Sequence, residues 1–213
     1  MPVPLPARTE SPRARRRGEL CVRLMAAAEE LLDDGVTLAD LGVDRLTQQA
    51  GVSRSSFYVY FEDRADLMRL WFSSVVDEIV EATRGWWAVG PDPDRAAVRD
   101  ALGAIVAVYR PHARLMAATF DAATHDADLR RLTDVLISES VDGLRRHIVR
   151  GQKAGWVDPA LHPESCATHL TWMAERTFNQ LLPGAAPRAA ERLTETYTDI
   201  VWATLYRPVA ATS

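Results

Sequence analysis

The chain has 213 residues, 47% of them hydrophobic and 25% charged, with a formal net charge of -4 at pH 7. These proportions exclude a disordered chain and place it among soluble globular proteins, long enough for one sizeable core or two unequal ones. No apolar run approaches the length of a bilayer span and the Pro- and Arg-rich start lacks the hydrophobic stretch of a signal peptide, so a cytoplasmic protein with no membrane partner is expected.

Taken in order, residues 1–17 carry Arg8, Arg13, Arg15, Arg16 and Arg17 and read as a basic disordered arm. Leu20, Leu24, Ala27, Ala28, Leu31 and Leu32 then recur at helical spacing, which predicts a helix from about Gly18 to Asp33 that ends near Gly35. A short helix with Arg45 near its start carries Leu46 and Ala50. Gly51 next supplies the left-handed conformation of a tight turn, and Ser53 is suited to cap the following helix. In that arrangement Leu46, Ala50, Val52, Phe57 and Phe61 share a core, while Arg54, Ser55, Tyr58 and Tyr60 stay outside. This is the layout of a helix-turn-helix whose second helix enters a DNA major groove. Asp63 can cap a fourth helix opening at Arg64 and carrying Leu67, Leu70, Trp71, Val75 and Ile79.

Gly85 to Pro93 reads as a breaker-rich connector with two tryptophans. Beyond it, helices are predicted over 94–109, from Pro111 through Met116 and Phe120, from Leu129 to a stop at Gly155, and over about 163–182 and 188–206. No strand pattern of useful length occurs. The expected fold is all-α: the arm, a three-helix DNA-binding domain over 18–65, and a helical domain over 66–213. The last two helices carry apolar residues on more than one side, so one face can serve the core and the other a second subunit.

Catalytic chemistry finds no support, because there is no nucleophile–base pair, no metal-ligand spacing and no phosphate-cradling glycine loop. Cys21 and Cys166 lie far apart and the five histidines are scattered, so neither a metal nor a cofactor is expected. The acidic balance is awkward for a nucleic-acid binder. Between residues 18 and 64 the basic residues are Arg23, Arg45, Arg54 and Arg64, against acids that include Glu29, Glu30, Asp33 and Asp34. A helical small-molecule-binding protein without DNA binding therefore stays open as an alternative, with an enzyme using the same cavity a remote one.

Gly51-Val52-Ser53, Phe57-Tyr58-Val59-Tyr60-Phe61, Arg64 and Leu67 together resemble the signature of TetR-family transcriptional regulators, over roughly residues 18–70. The resemblance implies that Ser55, Ser56 and Tyr58 contact bases or backbone and that Tyr60 and Arg64 contact phosphates. Val59 then offers an apolar contact, and Arg45, Ser53 and Arg54 complete the set facing a double-stranded operator.

Leu170-Thr171-Trp172-Met173-Ala174-Glu175-Arg176-Thr177 and Val201-Trp202-Ala203-Thr204-Leu205-Tyr206 are similar to the ethionamide-resistance repressor subgroup. That likeness implies an apolar tunnel in the second domain, lined by Ile105, Tyr109, Thr133, Ile137, Ser140, Leu144, Thr171, Ala174, Asn179 and Trp202. Met116, Phe120 and Phe178 belong with the large side chains around it. The implied ligand is a hydrophobic or amphiphilic small molecule held mainly by burial. The family pattern further implies a homodimer through the last two helices, bound as a repressor to a palindromic operator and released by that ligand. Glu175 and Arg176 are adjacent, so their side chains are expected to diverge and to bond other helices.

Overall fold

The computed structural model describes residues 11–90 and 94–206. Among them the chain forms nine α-helices, two single-turn 3₁₀ helices at Leu38–Asp40 and Arg110–His112, and no strand. It divides into two compact units between Trp71 and Phe72.

In the first unit, α1 spans Pro12–Asp33 and so begins six residues before the expected start at Gly18. The cause is local: the Ser11 hydroxyl accepts a hydrogen bond from the Ala14 N–H at 3.2 Å, and Pro12 occupies the first turn. Arg13, Arg15, Arg16 and Arg17 are therefore helical, while Arg8 lies outside the described residues. Next come α2 (Val43–Gln49), α3 (Arg54–Tyr60) and the opening turns of α4 (Arg64–Trp87). Gly51, at φ 62°, makes the turn between α2 and α3, a conformation that costs any other residue strain. Leu24, Leu41, Leu46, Phe57, Phe61 and Leu67 are at most 1% exposed and form the core, whereas Ala50 and Val52 are half-buried at its edge.

In the second unit α4 runs on through Gly85 to Trp87, where the sequence led us to expect a connector. One glycine costs a helix only about 1 kcal/mol. The burial of Trp86, 5% exposed, offsets it. The remaining helices are α5 (Arg95–Tyr109), α6 (Ala113–Ala122), α7 (Ala127–Ala154), α8 (Pro163–Leu181) and α9 (Pro187–Leu205). α8 packs along α7, α9 along α5, and α6 against both α7 and α8. Near the end of α7 the chain doubles back so tightly that a Cβ on Gly151 would lie 2.3 Å from Val157 Cγ2, which leaves room for glycine alone. A buried polar cluster ties the end of the chain to this core. The Trp86 indole N–H donates to the Tyr206 hydroxyl at 2.9 Å, and His147 Nε2 lies 2.5 Å from that same oxygen.

No helix among the described residues is long and apolar enough to cross a membrane.

Candidate nucleic-acid interface and ligand cavity

The turn and α3 present their polar residues outward because Phe57 anchors the opposite side. Ser53 caps α3 by accepting from the Ser56 N–H at 3.0 Å, and its hydroxyl also lies within hydrogen-bond reach of the hydroxyls of Ser55 and Ser56. Ser53, Arg54, Ser55, Ser56, Tyr58 and Val59 are all exposed, as is Arg45 on α2. Tyr58 and Val59, 50% and 56% exposed, are large groups that folding leaves in water rather than in the core.

Two arginines in the expected contact set are already engaged. Arg54 pairs with Asp44 at 2.8 Å and lays its guanidinium over the Tyr58 ring, 5.8 Å from the centroid. Arg64 is half-buried and donates to the carbonyls of Leu38 and Leu41 at 2.7 and 3.3 Å, so it holds the loop before α2. Tyr60 is half-buried as well.

The arginines of α1 do structural work that the sequence reading had not assigned. Arg13 donates to the Val59 carbonyl at 3.1 Å, Arg17 to the Tyr60 carbonyl at 3.0 Å, and Arg23 to the Ala50 carbonyl at 2.9 Å. These carbonyls end α2 and α3, where a helix has unsatisfied acceptors and partial negative charge. Arg17 also grips Asp66, one guanidinium nitrogen donating to both carboxylate oxygens at 2.7 and 2.8 Å. α3 is thus clamped from one side by α1. Arg16, exposed beside Ser53, Ser56 and Tyr60 around one surface hollow, adds positive charge at the open side.

The second unit encloses a cavity of about 100 Å³ with largely apolar walls from α4 to α9. Nine of the expected lining residues meet there: Ile105, Tyr109, Phe120, Ile137, Ser140, Leu144, Thr171, Ala174 and Phe178. Four do not. Met116 is fully buried elsewhere in the core, and Thr133 bonds the Arg130 carbonyl of its own helix. Asn179 stands behind the wall, accepting a short hydrogen bond from the Tyr109 hydroxyl and donating to Glu175 Oε1 at 2.8 Å. Trp202 packs on Tyr206 with ring centroids 5.5 Å apart.

The helical register explains what was missed. α4 contributes Ile79, Thr83, Trp86 and Trp87, a helix read as a linker rather than as a wall. Glu175 lines the cavity too, although a charged residue in an apolar stripe gives no sign of facing inward. Its carboxyl bonds Asn179 one turn along α8, not another helix directly; the link to α5 passes through Tyr109. Burial, helped by the nearby Glu175, raises the Tyr109 phenol well above its ordinary pKa, which keeps it a donor. Burial does the same for Tyr197, which donates to the Leu170 carbonyl at 3.1 Å.

A helix-turn-helix unit followed by a helical unit with an apolar cavity is the architecture of a class of transcriptional regulators. The chain shares its fold with a solved TetR-family transcriptional regulator, PfmR from Thermus thermophilus, at a TM-score of 0.68 with 19% identity, covering 87% of this chain and 100% of that one. Residues 98–207 match the family described as transcriptional regulator EthR, C-terminal domain. The HTH-type transcriptional regulator EthR of Mycobacterium tuberculosis is 28% identical over 183 residues, 85% of this chain and 84% of that one. Its namesake in Mycolicibacterium smegmatis is 23% identical over 214 residues, 93% of this chain and 96% of the other. The chain belongs to the EthR family of TetR-type transcriptional regulators, a family of regulators and not of enzymes.

Proposed function

We propose that this chain is a repressor that binds a palindromic operator as a homodimer and leaves it when a small apolar molecule enters the cavity of the second unit. The observation that carries the reading is α4. This one helix begins at Arg64, three residues after the end of the turn-and-helix motif, and ends at Trp87 on the cavity wall. A ligand that wedges Ile79, Thr83 or Trp87 acts on the element that leads into the recognition helix. Release requires the ligand to bind the off-operator state more tightly than the operator-bound one.

Support for the dimer comes from α8 and α9, which leave Trp172, Leu181 and Ile200 47%, 54% and 39% exposed. Large apolar groups at such positions fit a second copy paired across a two-fold axis, the symmetry a palindrome requires. The face of α3 from Ser53 to Val59, with Arg45 and Arg16 flanking it, serves as the DNA contact; the unit up to residue 65 is the reader and the remainder the sensor and dimer module.

A gel shift with the DNA upstream of the chain's own coding sequence, at moderate salt, tests this. A sequence-specific complex with dimer stoichiometry is expected, with affinity falling steeply as salt rises. Absence of any such complex, with the protein folded, sinks the repressor reading.

A further inference from the structure

The cavity has an asymmetry in its hydrogen-bonding capacity. Most of its hydroxyl groups have committed their protons to protein acceptors: Thr83 to the Val80 carbonyl at 2.7 Å, Ser140 to the Leu136 carbonyl at 2.8 Å, Tyr109 to Asn179, and Tyr197 to the Leu170 carbonyl. Glu175 has spent one carboxyl oxygen on Asn179. The other, Oε2, is buried and has no hydrogen-bond partner among the described residues, on a side chain only 6% exposed. Arg176 Nε lies 3.9 Å away, beyond hydrogen-bonding distance and on a side chain 68% exposed to water. A buried acceptor left in this state is unfavourable, and a ligand that satisfies it recovers that loss.

Charge and shape narrow the ligand further. Among the described residues no Lys, Arg or His lines the cavity, so none of these wall groups holds an anion or repels a cation. A carboxylate-bearing ligand would face Glu175 without compensation. The walls also carry the rings of Trp86, Trp87, Phe120 and Phe178, whose electron-rich faces attract cations. We propose that the effector is a small apolar amine, its ammonium group donating to Glu175 Oε2 and its hydrocarbon body lying among those rings; this rests on the reading of the cavity as the effector site. The cavity of about 100 Å³ is smaller than the roughly 150 Å³ that holds a benzene, so a six-carbon body enters only as wall side chains shift, which is the wedging the effector reading requires.

Isothermal titration of the full chain at pH 7 with n-hexylamine, n-hexanol and n-hexanoate separates the possibilities. Hexylamine is expected to bind at least about tenfold more tightly than hexanol, with hexanoate weakest, because only the amine supplies both a donor and a positive charge. In E175Q, which keeps the shape but not the charge, amine and alcohol should come within about threefold of each other, with folding checked by circular dichroism. Hexanol or hexanoate binding as tightly as hexylamine to the wild type overturns the amine assignment while leaving the cavity as an effector site. An amine preference that survives in folded E175Q overturns the role of Glu175. Failure of all three probes to bind the wild type removes the effector site itself. The wild-type series decides the matter even if E175Q does not fold.

Discussion

At the scale of single residues, the face of α3 is organised by what its side chains are not free to do. Arg17 and Arg64 are committed to carbonyl groups and to Asp66, so in the proposed complex the burden of contact would fall on Tyr58, on Arg54 released from Asp44, and on the serine hydroxyls around the cap. Tyr58→Ala and Arg54→Ala should each weaken operator binding roughly tenfold while leaving the melting temperature and the oligomeric state unchanged. Fluorescence anisotropy with labelled operator DNA reads this; unchanged affinity in both variants would mean that another face meets DNA. In the proposed complex an exchange of Asp44 for phosphate would let an acidic chain bind a polyanion. The internal pair keeps the free protein neutral at that spot, and the guanidinium becomes available when a stronger partner arrives.

At the scale of elements, most of the fold was legible because helices announce themselves by apolar period and by caps. The periods behind α5, α7, α8 and α9 and the stops at Gly155 and Pro183 needed nothing else. The ends were harder. Arginine-rich composition hid the start of α1, although Ser11-Pro12 is a cap-and-first-turn signal. Gly85 looked like a break because a sequence does not show that the following tryptophan is buried. In the cavity, most positions implied by the family likeness fell on the wall, whereas Trp202 and Asn179 did not, and Glu175 was hidden by its charge.

The buried cluster behind α7 gives this scale its own prediction. Arg150 donates to His147 Nδ1 at 3.2 Å, so the imidazole proton sits on Nε2 and is donated to the Tyr206 hydroxyl. A proton on Nδ1 would displace Arg150. Burial first, and the charge of Arg150 second, lower the His147 pKa to about 4. The unfolded chain, with an ordinary value near 6.5, takes up the proton first, so this contribution is intact above about pH 6.5 and is lost as pH falls toward 4. The loss amounts to about 3 kcal/mol at the lower end. Urea midpoints between pH 7.5 and 4 should fall more steeply for the wild type than for His147→Gln; parallel curves would remove His147 from the acid response.

At the scale of the whole molecule, the proposed complex with a two-fold operator would depend on surfaces that one copy leaves bare. Trp172 and Ile200 are exposed apolar groups with no role in the cavity. Trp172→Asp combined with Ile200→Asp should yield a folded monomer by light scattering, and its operator affinity should fall by more than a hundredfold, because the energies of two half-sites no longer add on one particle. A variant that stays dimeric would place the pairing surface elsewhere. The stacked pair Trp86–Trp87, with ring centroids 5.0 Å apart and planes inclined by 19°, has a consequence of a different kind. Two indoles held so close in a fixed chiral arrangement share their electronic excitation, and both border the cavity. Whatever enters and tilts one ring against the other alters the near-ultraviolet circular dichroism of the protein, which therefore carries a spectroscopic record of occupancy that needs no added dye.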